Sequence, residues 1–238
     1  MSDRYFVEIP IAADRATLSG PEAHHLIHVM RATAGTHVTL FDGSGDEFSA
    51  VVERVGRADV ALTILSRESI DRELPCRLTL AVALPKGDRQ KWLVEKAVEL
   101  GVTRVVPLRT ERGVAQPVEQ ALSRLRRAVI EASKQCGRNR LLQIDEPQSW
   151  PDFVADAGSA YRCLAHPGGE SCQKLTAQSL PGDTRLAIGP EGGFSDEEVA
   201  LATDAGWQTV DLGPRILRVE TAALFLAAVV ASVQSSRG

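Results

Sequence analysis

The sequence predicts an α/β protein in two parts, a small β-rich domain over residues 1–72 and a parallel-sheet domain over 73–238. Three observations predict it. Alternating apolar and polar residues fill the first 70 positions, near-continuous apolar runs separated by helical patterns fill the rest, and the acidic, turn-rich SRESIDRELP at 66–75 divides them. Alternation marks strands with one wet face, whereas a strand covered on both faces of a parallel sheet reads as a continuous apolar run.

In chain order, YFVEI, THVTLFDG, EFSAVVERV and DVALTILSR are predicted strands of a small β-barrel, with DGSGD as a turn between two of them. PEAHHLIHVMRAT predicts one short helix, because His25, Val29 and Ala32, or Leu26 and Met30, recur at helical spacing. Past residue 73 the predicted strands are LTLAVAL (78–84), RVVPL (104–108), YRCLAH (161–166), RLAIG (185–189) and QTVDLG (208–213). RQKWLVEKAVELG predicts a helix with Leu93, Ala97 and Leu100 on one face and Gly101 at its stop. A second helix, over 118–136, turns Leu122, Leu125, Val129 and Ala132 inward and its arginines outward. Ser195 and Glu198 spell a capping box for a helix running to about Ala205. The last helix, through AALFLAAVVASV, is apolar on nearly every side and must be covered by its own core or by a second copy, which predicts a homodimer.

The 44% hydrophobic and 24% charged shares are those of an ordinary globular chain of 238 residues. No apolar run reaches the ~18 residues a membrane span needs, and MSDRYFVEIP lacks the features of a signal peptide, so a cytoplasmic protein with no membrane partner is expected. Cys76, Cys136, Cys163 and Cys172 form no C-x-x-C pair and are read as structural. His24, His25 and His28 share a helix without the spacing or cysteines of a metal centre, so no metal is expected.

The net charge of −4 conceals a segregation. Residues 1–72 carry 7 basic against 11 acidic side chains, 73–142 carry 14 against 7, and 143–238 carry 6 against 13. The basic third fits two solvated helix faces or a footprint for a polyanion.

Three glycine-bearing loops follow predicted strands: HPGGE, GPEGG and GPRILRVETA. The edge where parallel strands end is where α/β sheets bind ligands. Neither G-x-x-x-x-G-K-[ST] nor G-x-G-x-x-G after the first strand is present, which removes the P-loop and dinucleotide readings. Glu191, Asp196, Glu197 and Glu198 also crowd one helix start and would repel a phosphate there, so a neutral or cationic ligand fits better.

RYFV, HHLIHVMR, DGSG, KGDRQKWLVEKAVELGV, EASKQCGR, IGPEGGFSDEE and LGPRILRVETA together resemble the ribosomal RNA small-subunit methyltransferase E family of SPOUT methyltransferases. The resemblance implies a PUA-like β-barrel followed by a SPOUT-type parallel sheet with a trefoil knot. It also implies a homodimer that transfers a methyl group from S-adenosyl-L-methionine to N3 of one uridine in 16S rRNA of the small subunit. Carried onto this chain, the cofactor loops are 164–169, 188–193 and 212–218. Their matching residues are Leu164, His166, Pro167 and Gly168; Ile188, Gly189, Pro190, Glu191, Gly192 and Gly193; and Leu212, Gly213, Ile216, Leu217 and Arg218. RNA contacts are assigned to Arg4, His25, Arg31, Lys86, Arg89, Gln135 and Arg138. For catalysis, Arg218 or Arg138 would stabilise charge on the uracil oxygens, and Glu191 would serve either as the base or as a structural acceptor within its loop. Val219 stands where the family usually has threonine, Lys134 where glutamate is commoner, and Leu142 near a frequent proline. Two rival readings are a non-catalytic RNA-binding factor, which needs no ordered glycine loops, and an oxidoreductase, for which ALPKGDRQK offers no fingerprint.

Overall fold

The computed structural model describes residues 4–113, 119–156, 158, 160–177 and 182–235; residue 118, where the second helix is expected to begin, lies outside them. Contacts divide the chain into two units. One comprises residues up to Glu73 together with Ser133–Leu141, and the other Leu74–Ala132 with 142 onwards.

The first unit is a curled five-stranded sheet in the order β1-β3-β4-β5-β2. Its elements are β1 (Arg4–Phe6), β2 (Arg15–Ser19), α1 (Gly20–His24, continued as a wider turn over His25–Val29), β3 (His37–Phe41), β4 (Asp46–Val55) and β5 (Asp59–Ser69). Register shifts between Ser49 and Ala50 and between Val52 and Arg54 lie in the long β4–β5 pairing; such bulges increase local twist and let a short sheet curl over one core. That core holds Tyr5, Leu18, Leu26, Leu40, Phe48 and Leu62. Two sequence expectations need correction. β2 reads RATLS, too short and polar to signal a strand, and forms because Arg15–Ser19 pairs antiparallel with β5. In the helical segment the buried positions are Ala23, Leu26 and Ala32, while Val29 and Met30 are 59% and 42% exposed. The wider turn shifts the helical phase by about one residue and moves the apolar face.

Residues 133–141 are tied to this unit by hydrogen bonds and ion pairs. Arg4, only 6% exposed, pairs with Glu47 and Asn139, donates to the Arg138 carbonyl (3.3 Å) and lies over the Phe41 ring. Arg138, 4% exposed, pairs through its fork with Glu73. Arg72 donates to the Gly137 carbonyl (2.8 Å), Asn139 Nδ2 to the Ile70 carbonyl (3.2 Å), and Lys134 Nζ to Glu22 Oε1 (2.9 Å). Arg4 and Arg138, which the resemblance assigns to RNA, and Arg138 also to catalysis, thus stand buried, each with its guanidinium against a carboxylate. A buried guanidinium locked to a carboxylate satisfies its own desolvation and has little field left for an outside anion. Lys134, expected to add charge to an RNA face, is likewise half-buried against Glu22.

The second unit is a parallel sheet in the order β12-β10-β11-β6-β7-β8. In chain order it contains β6 (Leu78–Val82), α2 (Arg89–Glu99), β7 (Arg104–Arg109), α3 (Glu119–Cys136, whose last residues enter the first unit), β8 (Gln143–Ile144), β9 (Gln148–Ser149) and α4 (Trp150–Ala155). There follow β10 (Tyr161–Ser171), α5 (Gln173–Ala177), β11 (Thr184–Ile188), α6 (Asp196–Asp204), β12 (Gln208–Asp211) and α7 (Val219–Ser235). All five residues of β6 are buried, as its uninterrupted apolar run requires. Leu122, Leu125, Val129 and Ala132 of α3 are buried. So are Leu93 and Ala97 of α2, whereas Leu100 is half-buried at its cap.

Trp150 of α4 anchors a core cluster with Phe153, Phe194 and Trp207; its ring centroid lies 4.5 Å from Phe194 and 5.6 Å from Trp207. The capping box of α6 is complete: Ser195 Oγ accepts from Glu198 N (3.3 Å) and Glu198 Oε2 from Ser195 N (2.9 Å). Replacing Ser195 by alanine should lower stability by about 1 kcal/mol in urea unfolding.

Burial pushes the Cys163 thiol up to about 12, the condition of an inert core cysteine. Among the described residues no three His, Cys, Asp or Glu side chains gather as a metal would require, and no helix is long and apolar enough to cross a membrane.

Candidate cofactor site

Parallel strands β10, β11 and β12 end at one edge of the sheet, so the segments leaving them converge by topology. They enclose a cavity of about 550 Å³, within the usual range for a small-molecule site.

The first wall is not a loop after a strand, as HPGGE suggested, but a bulge inside β10. Ala165 and Glu170 both register with Val210, so residues 166–169 are extruded from the ladder. His166 and Pro167 line the cavity from this bulge. The second wall is the turn after β11, where Ile188, Gly189, Pro190, Glu191, Gly192 and Gly193 all line the cavity. Gly193 N donates to the Pro190 carbonyl (2.9 Å) and Gly193 adopts φ +69°, a left-handed conformation that closes the turn and favours glycine. The third wall comes from the segment between β12 and α7, through Leu212, Gly213, Ile216 and Leu217.

Three residues matched to the cofactor loops lie outside the wall. Leu164 is fully buried in the core cluster behind it. Gly168 donates its N–H to Asp211 Oδ2 (3.0 Å). Arg218 is exposed, and its carbonyl accepts from Ala222 N at the head of α7 (2.9 Å).

The sequence reading missed two wall residues that organise the site. Asp211, the last residue of β12, accepts from Gly213 N (2.6 Å) and Gly168 N (3.0 Å), and so ties the bulge to the third segment. These backbone donors, Gly213 first and Gly168 second, hold its carboxyl below the usual range. The Asp-x-Gly spacing carried a weak signal for such a turn. Arg112, just beyond β7, donates to the carbonyls of Gly192 (3.0 Å) and Phe194 (3.4 Å), while Glu111 N donates to Glu198 Oε1 (2.9 Å). No local pattern signals a contact spanning 80 residues.

Glu191 is exposed and stands 3.5 Å from Arg89, which also pairs with the buried Glu220 at 3.4 Å. The wall thus carries Glu191, Asp196 and Asp211 against Arg112 and Arg215, embedded in peptide groups. Such a lining suits a ligand with polar edges for backbone hydrogen bonds and a positive rather than phosphate-like charge. Of the residues assigned to RNA, His25, Arg31, Lys86 and Gln135 are exposed.

The chain matches a model of the RNA methyltransferase domain over residues 72–231 and one of the RNA methyltransferase PUA domain over 18–65. It is 36% identical over 211 residues to ribosomal RNA small subunit methyltransferase E of Synechocystis sp., covering 87% of this chain and 69% of that protein. Its fold is similar to that of a Legionella pneumophila protein described as a methyltransferase in complex with the bound cofactor SAM, at 34% identity and TM-score 0.89 with 98% of each chain covered. It is also similar to ribosomal RNA small subunit methyltransferase E of Neisseria gonorrhoeae bound to S-adenosyl methionine, at 29% identity and TM-score 0.87, covering 99% of this chain and 98% of that one. The three converging segments therefore sit in a chain that belongs to the ribosomal RNA small subunit methyltransferase E family of RNA methyltransferases.

Proposed function

We propose that this protein is an S-adenosyl-L-methionine-dependent methyltransferase acting on N3 of one uridine in 16S rRNA of the small ribosomal subunit. The observation that carries the reading is the cavity, where three segments bring backbone groups and three carboxylates together at one sheet edge. When bound, S-adenosyl-L-methionine supplies a methyl group activated by a positive sulfur. The peptide groups of 188–193 and 212–217 would hold it, and Glu191, Asp196 and Asp211 suit its charge.

The chain's own task is to position the uracil and to manage the N3 proton. N3–H is weakly acidic, so its proton must pass to a base or the developing anion must be stabilised. Glu191, exposed in the cavity wall, is the proposed proton acceptor. Arg218 is the proposed partner of the uracil oxygens, since its exposed guanidinium has no carboxylate within ion-pair distance among the described residues. Lys86, Arg31, His25 and Gln135 are the proposed RNA contacts, with phosphates supplying affinity and an extruded uridine supplying the reacting edge.

We further propose that the three segments are joined through a trefoil knot and that the enzyme works as a cytoplasmic homodimer. Trp92 of α2 and Phe225 of α7 are 47% and 42% exposed, and a second copy is the proposed cover.

Incubation with small subunits and methyl-labelled cofactor, followed by nucleoside mapping, tests the reading. The expected product is N3-methyluridine at a single 16S position; label on cytidine, on ribose or on transfer RNA alone would overturn it. RNA binding should also weaken steeply with salt, by a slope of about −0.7 per phosphate neutralised for single-stranded RNA.

A further inference from the structure

Arg89, the first residue of α2, does not line the cavity, yet it joins two elements that do. Its NH1 lies 3.4 Å from Glu220 Oε2 on the first turn of α7, and its NH2 lies 3.5 Å from Glu191 Oε1 in the turn after β11. The two carboxylates differ in environment. The Glu220 side chain is 7% exposed, whereas that of Glu191 is 59% exposed. A carboxylate buried in that way needs a compensating charge, and Arg89 is the partner recorded for Glu220 among the described residues. With one prong committed there, the planar fork leaves the other directed at Glu191. Glu220 stands on the first turn of α7 between Val219 and Ala222, which line the cavity, and Glu191 belongs to the second wall.

We propose that Arg89 is a positioning residue for the cofactor cavity, a strut that fixes the turn after β11 against the head of α7. This differs from the role as a phosphate contact that its place in the basic third suggested. A guanidinium facing two carboxylates has its charge largely cancelled and attracts an RNA phosphate weakly. The strut acts through Glu191 and Glu220, so its loss should register in cofactor affinity and leave the salt dependence of RNA binding alone. The inference rests on the reading that this cavity holds S-adenosyl-L-methionine.

Titrating the full-length protein with S-adenosylhomocysteine by calorimetry, in Arg89→Gln, Arg89→Lys, Glu191→Gln and the double variant Arg89→Gln/Glu191→Gln, tests it. Arg89→Gln should raise Kd about tenfold and Glu191→Gln about threefold, with the double variant no weaker than Arg89→Gln because both changes sever the same link. Arg89→Lys should recover part of the affinity, since it keeps the charge but not the two-pronged fork. Binding of naked 16S rRNA to Arg89→Gln should keep the wild-type salt slope. An Arg89→Gln protein that binds S-adenosylhomocysteine within twofold of wild type overturns the proposal, as does strict additivity of the two changes. If Arg89→Gln fails to fold because Glu220 is left buried and alone, Arg89→Lys, which keeps a charge beside Glu220 but loses the two-pronged fork, takes its place, a Kd within twofold of wild type counting against the strut. A wild-type protein that does not take S-adenosylhomocysteine removes the cofactor reading itself; a wild type that binds, with indifferent variants, removes only the role of Arg89.

Discussion

Replacing Gly169 by valine should abolish cofactor binding and weaken the second unit. A Cβ at this position would lie 2.6 Å from the Thr209 carbonyl carbon and 2.7 Å from Thr209 O and Val210 N. These are backbone atoms of the neighbouring strand, so no side chain can swing aside, and β10 would have to part from β12. The bulge over 166–169 is anchored at that contact, because Ala165 and Glu170 close on Val210 from either side of it. His166 and Pro167 would move with it. Overpacking of this kind costs about 1–3 kcal/mol, and displacement of a cavity wall should lower affinity for S-adenosylhomocysteine by at least about 100-fold. Urea unfolding and calorimetric titration measure the two effects. Wild-type values in both would mean that the bulge accommodates a side chain, contrary to the close strand approach described above.

Substituting Asp211 by alanine should have the next largest effect. The carboxylate accepts one backbone N–H from the β10 bulge and one from the segment after β12, and no other side chain makes that tie among the described residues. Without it the Gly168 and Gly213 amides turn to water and the walls separate, and the affinity for S-adenosylhomocysteine should fall about tenfold. Asp211→Asn should fall nearly as far, because its NH₂ would face one of the donors.

The pH dependence follows from the direction of the shift. The two amides stabilise the ionised form and hold its pKa below the ordinary carboxylate value. The contribution is therefore fully present above that ordinary value and is lost only as pH falls through the depressed one. Across the neutral range Asp211 stays ionised and cofactor affinity should not vary with pH on its account, whereas in acid the affinity should decline, with the Asp211→Asn protein lacking that component. An acid decline of the same size in Asp211→Asn would assign the titration to another group.

Much of the fold was legible wherever local pattern and burial agree. β6, β7 and β11 are covered on both faces, so their apolar runs announced them. α6 carries its capping box in four residues. Other elements were hidden because their cause lies elsewhere in the chain. β2 exists through its pairing with β5, and β8 and β9 are two-residue additions beside β7. α4 did carry a local sign, with Ser149 as its cap accepting from Asp152 N and a proline in the first turn, but its brevity weakened the helical period.

The candidate site divides in the same way. Glycine-bearing segments after β11 and β12 were visible as ligand-binding chemistry, and the structure places them around one cavity with the bulge of β10. The arginines were not legible. Arg89 and Arg138 look alike in the sequence as members of the basic third, yet Arg138 is a buried ion-pair partner, as is Arg4 outside that third, and Arg89 spans two carboxylates. Charge is written in the sequence, but the distance between charges is not, and an arginine's role depends on whether a carboxylate or water stands beside it.

By itself, then, the sequence determined the two-part α/β architecture, the faces of α2 and α3 and the glycine segments that make the cavity, because periodicity and backbone freedom are local properties. Only the tertiary structure decided that residues 133–141 fold with the first unit, that HPGGE is a bulge held by Asp211, and which arginines remain open to solvent. Those outcomes depend on contacts between residues far apart in the chain, whose energies exist only once the elements have packed.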